Sequence, residues 1–100
     1  MLNKYLDKEK IIKAYISDVI WLDEIESQLS KIDSDNEEEI NARRDAFKLI
    51  QMLYKMSYII CQITDTNYTE KYYDRIYDLQ REMQIDLTKM LGIEDIWKEI

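Results

Sequence analysis

Carboxylates are the most numerous side chains of this chain whose type could do chemistry. The sequence has 21 acidic residues and no histidine, so it lacks an imidazole for general base catalysis or for a histidine metal site. The single cysteine, Cys61, lies among apolar neighbours, which predicts a core thiol and not a nucleophile. The single glycine excludes glycine-rich phosphate-binding loops. We therefore expect no catalytic residue, no cofactor, no metal and no enzymatic activity.

A magnesium site built from carboxylates is the enzymatic alternative. Asp23 and Glu26 are three residues apart and share one face of a predicted helix. With acids from another helix, they could bind Mg²⁺ in a small carboxylate-dependent enzyme. Acidic pairs at this spacing are common on solvated helices, so this interpretation ranks last.

Acidic residues also recur at every fourth position in the C-terminal third of the chain. The row consists of Glu70, Asp74, Asp78, Glu82 and Asp86. Like charges at this spacing destabilise an isolated helix by about 0.2–0.5 kcal/mol per pair, so helix propensity does not explain the row. One interpretation is a solvated face with nearby cations relieving the repulsion. The other is a row of carboxylates about 6 Å apart, comparable with the phosphates of one nucleic-acid strand, that occupies a basic groove on a nucleic-acid enzyme.

Tyrosines are concentrated around this acidic row. Six of the eight lie between residues 54 and 77, and a tyrosine can bury its ring at an interface while its hydroxyl stays in water. They indicate either the rim of a helical bundle or a binding surface. The second interpretation predicts a partner-binding surface composed of Glu70, Tyr72, Tyr73, Asp74, Tyr77, Asp78, Glu82 and Asp86.

The elements that position these side chains are all predicted to be helices. The sequence has no proline and one glycine, and apolar residues between Ala42 and Ile63 recur at alternating steps of four and three. We expect an all-α fold in one domain, residues 1–100. It is an antiparallel bundle of three long helices, at about 7–31, 37–63 and 68–91, plus a short C-terminal helix at 93–100. Helices of this length predict an elongated molecule.

Three short patterns mark the predicted helix ends. Ser34 with Glu37, and Asn67 with Glu70, have the three-residue spacing of a capping box. Gly92 lies where a helix commonly ends in a left-handed residue, with Ile93 placed to pack on the last turn. The final apolar residues form a helix too short to persist unless it is docked.

The first predicted helix is apolar around most of its circumference. Between Ile11 and Leu22, nine of twelve residues are apolar. A single packing partner cannot cover that much of the circumference of a helix. We therefore expect this segment to be buried on two sides, at the centre of the bundle or between subunits. The predicted self-association surface of a homodimer consists of Ile11, Ile12, Ile16, Ile20 and Trp21.

The charge of the chain narrows the choice of partners. A net charge of −7 repels phosphate backbones and anionic lipid, so we expect no direct nucleic-acid binding and no membrane binding. We also expect a cytoplasmic location, in a bacterium or in a virus-infected host. Frequent Ile, Lys, Tyr and Asn indicate an AT-rich genome. We expect a non-catalytic regulator or inhibitor of phage or mobile-element type that binds another protein. The alternative is an assembly subunit that acts through its own oligomer.

Overall fold

The computed structural model describes residues 2–63 and 70–100, without the side chains of Ile63, Glu70 and Lys71. Over these residues the chain is helical. The α-helices are α1 (Lys8–Ile16), α2 (Trp21–Ser30), α3 (Glu37–Ile63) and α4 (Glu70–Leu91), with 3-10 helices at Leu2–Tyr5 and Glu94–Lys98. The prediction of an all-α fold is confirmed, whereas the prediction of three long helices is not.

The two long helices, α3 and α4, form an antiparallel pair. Gln80 Nε2 donates a hydrogen bond to Ser57 Oγ at 2.9 Å, and Ala42 and Met90 line a common cleft at the other end. α1, α2 and the C-terminal 3-10 helix pack on one side of this pair around a single apolar core. The molecule measures 49 × 27 × 19 Å, which confirms the predicted elongated shape.

The predicted helix at 7–31 is wrong, because the chain breaks between α1 and α2. Asp18 has a left-handed backbone with φ 59°, a conformation that aspartate tolerates better than most residues, and Ile20 is extended. The break redirects the chain so that Ile11 and Trp21 both reach the core, at 0% and 8% exposure. The break therefore allows apolar residues from different sides of the predicted helix to reach one core. Ile16, Val19 and Ile20 remain exposed and are not buried on two sides.

α3 spans the predicted residues, but its cap is not the predicted one. Asn36 Oδ1 accepts hydrogen bonds from the backbone N–H groups of Glu38 and Glu39, at 2.9 and 3.3 Å. Ser34, the predicted cap, instead accepts a hydrogen bond from the N–H of Asn36. An asparagine cap leaves the glutamates in the first turn, where the helix dipole favours negative charge. The predicted cap of the next helix, Asn67 with Glu70, lies outside the described residues.

The C-terminal end of α4 is confirmed in detail. Gly92 is left-handed at φ 73°, and the N–H of Ile93 reaches the carbonyl of Thr88 at 2.9 Å in a Schellman arrangement. The segment that follows is a 3-10 helix at Glu94–Lys98, shorter than the predicted 93–100. Two contacts dock it: Trp97 Nε1 donates to Thr88 Oγ1 at 2.8 Å, and Lys8 Nζ pairs with Asp95 Oδ2 at 2.7 Å.

Candidate interaction surfaces

The α3–α4 pair extends beyond the core that the rest of the chain covers. The core cluster extends to Leu53 on α3 and to Met83 on α4. At the same level, the Tyr54 hydroxyl of α3 donates a hydrogen bond to Asp23 of α2. Burial, followed by the bond to Asp23 and its charge, raises the pKa of the Tyr54 phenol. We call the remaining part of the pair, residues 55–63 and 70–80, the arm. Its exposed large apolar side chains are Tyr58, Ile59, Tyr72, Tyr77 and Leu79.

The acidic row of α4 lies on its outer side. We call the exposed members of this row the acidic edge: Asp74, Asp78, Glu82 and Asp86. The ion pairs among the described side chains, Lys4–Glu39 and Lys8–Asp95, do not include any of them. Arg81, one of the cations expected to relieve their repulsion, instead lies over the Trp97 ring, 4.1 Å from its centroid. These carboxylates therefore remain available to an external cation.

Two of the predicted tyrosines form a pair beside the acidic edge. The ring centroids of Tyr73 and Tyr77 are 4.6 Å apart, with 58° between the ring planes. A hydrogen bond with Tyr77, followed by burial and the charge of Asp74, raises the pKa of the Tyr73 phenol. The pair therefore presents two packed aromatic rings next to Asp74.

The eight predicted partner-binding residues do not form one flat surface. Tyr72 and Tyr77 are five positions apart, which places them about 140° from each other around the helix. Glu82 is also five positions from Tyr77, so a flat partner that touches Tyr77 reaches Asp74 and Asp78 but neither Tyr72 nor Glu82. Glu70 belongs to the described backbone, but its side chain lies outside the description. Tyr77, Asp74 and Asp78 span about 100° of the helix and remain together, with the Tyr73 ring packed on Tyr77.

A second surface, which the sequence analysis missed, lies on the side of the α3–α4 pair opposite α2. We call this surface the open face, and its main residues are Met52, Met56, Ile59, Leu79 and Met90, all exposed except the half-buried Met56. Met52 is about 200° around α3 from Tyr54, which contacts α2. Leu79 is about 200° around α4 from Arg81, which contacts Trp97. The sequence signal for this face is that Met52 and Ile59 are apolar residues of α3 outside the seam of alternating four- and three-residue steps.

The predicted self-association residues of the first segment are divided between core and surface. Ile11 and Trp21 are buried inside this chain, so neither needs a second copy to be covered. Ile12 is half-buried against the same core. Ile16 and Ile20 are exposed, at 63% and 56%, and with Val19 they form a small apolar tip at the break.

The residues that could do chemistry are Cys61, Asp23 and Glu26. Cys61 is exposed, so the prediction of a core thiol is wrong. It lies on the side of α3 turned toward Tyr73, about 80° from Leu53 in the core. Asp23 accepts the hydrogen bond from Tyr54, whereas the buried Oε2 of Glu26 has no hydrogen-bond partner within the described part of the chain.

Comparison with protein-family models, curated proteins and solved structures finds no match to this chain. Among residues 2–63 and 70–100, no helix is long and apolar enough to cross a bilayer. Within the same residues, no group of three or more acids or cysteines is arranged to hold a metal ion. The function is therefore argued from the two surfaces of the α3–α4 pair.

Proposed function

We propose that this protein is a non-catalytic regulator or inhibitor that binds another protein through the acidic edge and the Tyr73–Tyr77 pair. The observation that carries the proposal is the position of these groups. Asp74, Asp78 and the tyrosine pair lie on the arm, beyond the core that α2 covers, and their carboxylates form no ion pair among the described side chains. Neither the core nor the caps of α4 require acids or paired tyrosines there.

A basic groove is the partner chemistry that fits these groups. Carboxylates four residues apart on a helix are about 6 Å apart along its axis, so a row of lysines or arginines can pair with each one. Tyrosine rings contribute contact area with few rotatable bonds, and their faces attract the same cations. A groove that binds nucleic acid has this chemistry, so we propose that such a groove on a host enzyme is the target, and that the protein is of phage or mobile-element type.

Charge reversal at the acidic edge tests this proposal. Immobilised wild-type protein is used to capture binding proteins from a lysate of a low-GC bacterium, alongside the variant Asp74→Lys/Asp78→Lys. Both positions are exposed, so we expect a stability change within about 0.5 kcal/mol, measured by thermal melting, and loss of the captured protein. Capture by the wild type should also weaken with added salt.

A matched control separates local from overall charge. Asp33→Lys/Asp35→Lys makes the same change in net charge at two exposed positions of the α2–α3 loop. We expect this variant to capture the same protein as the wild type. Equal loss from both variants would show that only net charge matters, and no loss from the α4 variant would place the interface elsewhere.

Assembly through its own oligomer is the second candidate function, and the open face favours it. Met52, Ile59 and Leu79 are between 48% and 56% exposed. Exposed apolar side chains that share one face mark an interface more often than isolated ones do. This surface is distinct from the Tyr73–Tyr77 side of the arm, so both activities are compatible in one molecule.

A further inference from the structure

We infer that the open face binds a second copy of this chain, so that two α3–α4 pairs form a four-helix bundle. The rest of the chain covers the opposite side of each pair, where Tyr54 meets Asp23 and Trp97 meets Thr88. A second α3–α4 pair supplies the missing layer with the same type of packing. This inference uses the side of the arm away from the Tyr73–Tyr77 pair, and it shares only the margin at Glu82 with the acidic edge.

The size of the open face fits a stable dimer. α3 has 27 residues, which gives a length of about 40 Å at 1.5 Å per residue. α4 has 22 residues and is about 33 Å long, and two helices side by side are about 20 Å wide, so the shared face covers about 660 Å². This is within the range of about 600–1,000 Å² that each partner contributes to a standard interface. The apolar tip at Ile16, Val19 and Ile20 is too small to provide this area.

The charges at the margins of the open face select a second copy and its orientation. Along residues 46–63, α3 has two cations, Lys48 and Lys55, and no acid. Along residues 74–86, α4 has four acids and two cations. Over these two ranges the face therefore has a basic margin on α3 and a net acidic margin on α4, and Asp45, on the same side of α3 as Met52, precedes the basic range. A twofold axis parallel to the helices places α3 against the partner's α4 and joins opposite charges at both margins. A perpendicular axis places α3 against α3 and joins like charges, which is unfavourable.

The hydrogen bond between Ser57 and Gln80 sets the level of the charged pairs. Lys55 precedes Ser57 by two residues and Glu82 follows Gln80 by two, so in antiparallel helices they lie at one height. A twofold axis parallel to the helices preserves height. Lys55 of one copy then lies beside the acidic margin of the other at Glu82, and this pair occurs twice in the dimer.

Sedimentation tests the surface. At micromolar concentration the wild type should sediment at about twice the chain mass of 12.2 kDa. Leu79→Glu should give a monomer, because it places a charge in the centre of the apolar interface. The control is Tyr58→Glu, an apolar position at 66% exposure on the opposite side of α3, which should remain dimeric. Circular dichroism of each variant establishes that the helices are intact.

Charge reversal tests the orientation. Lys55→Glu and Glu82→Lys should each raise the dissociation constant of the dimer about tenfold, since each change makes two repulsive pairs. The double variant Lys55→Glu/Glu82→Lys should restore the wild-type value. Failure of the double variant to recover would contradict the α3-to-α4 arrangement.

The remaining outcomes also decide the inference. A wild type that stays monomeric at every concentration up to about a hundredfold above a micromolar dissociation constant overturns the inference. A dimer that survives Leu79→Glu but is lost with Ile20→Glu overturns it as well, because the interface would then be the tip at the α1–α2 break. Loss of dimerisation with intact capture of a partner protein separates this inference from the proposed function.

Discussion

The indole Nε1 of Trp97 donates a hydrogen bond to the hydroxyl of Thr88, with 2.8 Å between the two atoms. Thr88 is fully buried, and its hydroxyl in turn donates to the carbonyl of Ile85 at 2.8 Å. The Trp97 ring also makes edge contacts with Trp21 and Tyr15, at centroid distances of 5.4 and 5.6 Å. One threonine on α4 therefore anchors the aromatic cluster that joins both ends of the chain.

Removing this hydroxyl should loosen the cluster. We expect Thr88→Val to lower the free energy of unfolding by about 1–3 kcal/mol, because the indole N–H loses its acceptor at a site of the same shape. Urea unfolding followed by tryptophan fluorescence measures the change. Thr88→Ser keeps the hydroxyl and should lose less, and a Thr88→Val protein as stable as the wild type would contradict this role.

The stability of variants at Asp18 should distinguish a chain that breaks at this residue from a continuous helix. At φ 59°, Asp18→Gly relieves backbone strain, whereas Asp18→Ala keeps it. We expect the glycine variant to be more stable than the alanine variant by about 1 kcal/mol in urea unfolding. A continuous helix from 7 to 31 would give the opposite order, because alanine favours a helix and glycine does not.

The ion pair between Lys8 and Asp95 should make the docking of the C-terminal 3-10 helix dependent on pH. The hydrogen bond and charge of Lys8 lower the pKa of Asp95, and the same bond raises the pKa of Lys8. The contribution of Asp95 is therefore present above the ordinary aspartate pKa of about 3.9 and is lost as the pH falls through its lower folded value. The contribution of Lys8 is lost as the pH rises above about 10.4.

Thermal melting of Asp95→Asn measures this effect. The variant should melt below the wild type at pH 7, and the difference should disappear at about pH 2, where both forms lack the carboxylate charge. A control variant, Glu94→Gln, changes an exposed neighbouring acid and should follow the wild type at both values. A difference for Asp95→Asn that is constant with pH would exclude the ion pair as its cause.

Tyr54 should be the tyrosine that is most sensitive to removal of its hydroxyl. The hydroxyl joins α3 to Asp23 of α2, and burial with this acceptor raises its pKa. Its contribution is present below the ordinary tyrosine pKa of about 10 and is lost at higher pH. We expect Tyr54→Phe to cost about 1 kcal/mol at pH 7 in urea unfolding, and the exposed control Tyr58→Phe to cost nothing measurable. Equal effects would argue against the bond.

The sequence predicts the parts of the fold that depend on regular periodicity. The predicted range 37–63 agrees with α3, because an uninterrupted apolar seam and an acidic first turn both favour a helix there. Gly92 ends α4 as predicted, because the left-handed backbone at that position favours glycine. The break at Asp18 was not predicted, because aspartate adopts a left-handed backbone without a distinctive local sequence. Asn36 was not predicted as the cap, because Ser34 matches the capping spacing equally well.

The candidate surfaces could be predicted only in part. The acidic edge follows from spacing alone, since every fourth residue of a long helix stays on a slowly turning row. The separation of Tyr72 from Tyr77 depends on which side of α4 faces α3, and spacing does not give this. The open face was not predicted, because an apolar stripe does not reveal how much of it the rest of a short chain can cover. Cys61 was misplaced for the same reason.

The central claim is that the two sides of the arm have different occupants. Tyr77 and Leu79 test it most directly, because they are two residues apart, 45% and 48% exposed, and about 200° apart around α4. Sedimentation and partner capture are measured on the same preparations of Tyr77→Glu and Leu79→Glu. We predict that Tyr77→Glu loses the partner and stays dimeric, and that Leu79→Glu becomes monomeric and keeps the partner. If both variants lose the same activity, the two sides do not act separately and the account is contradicted.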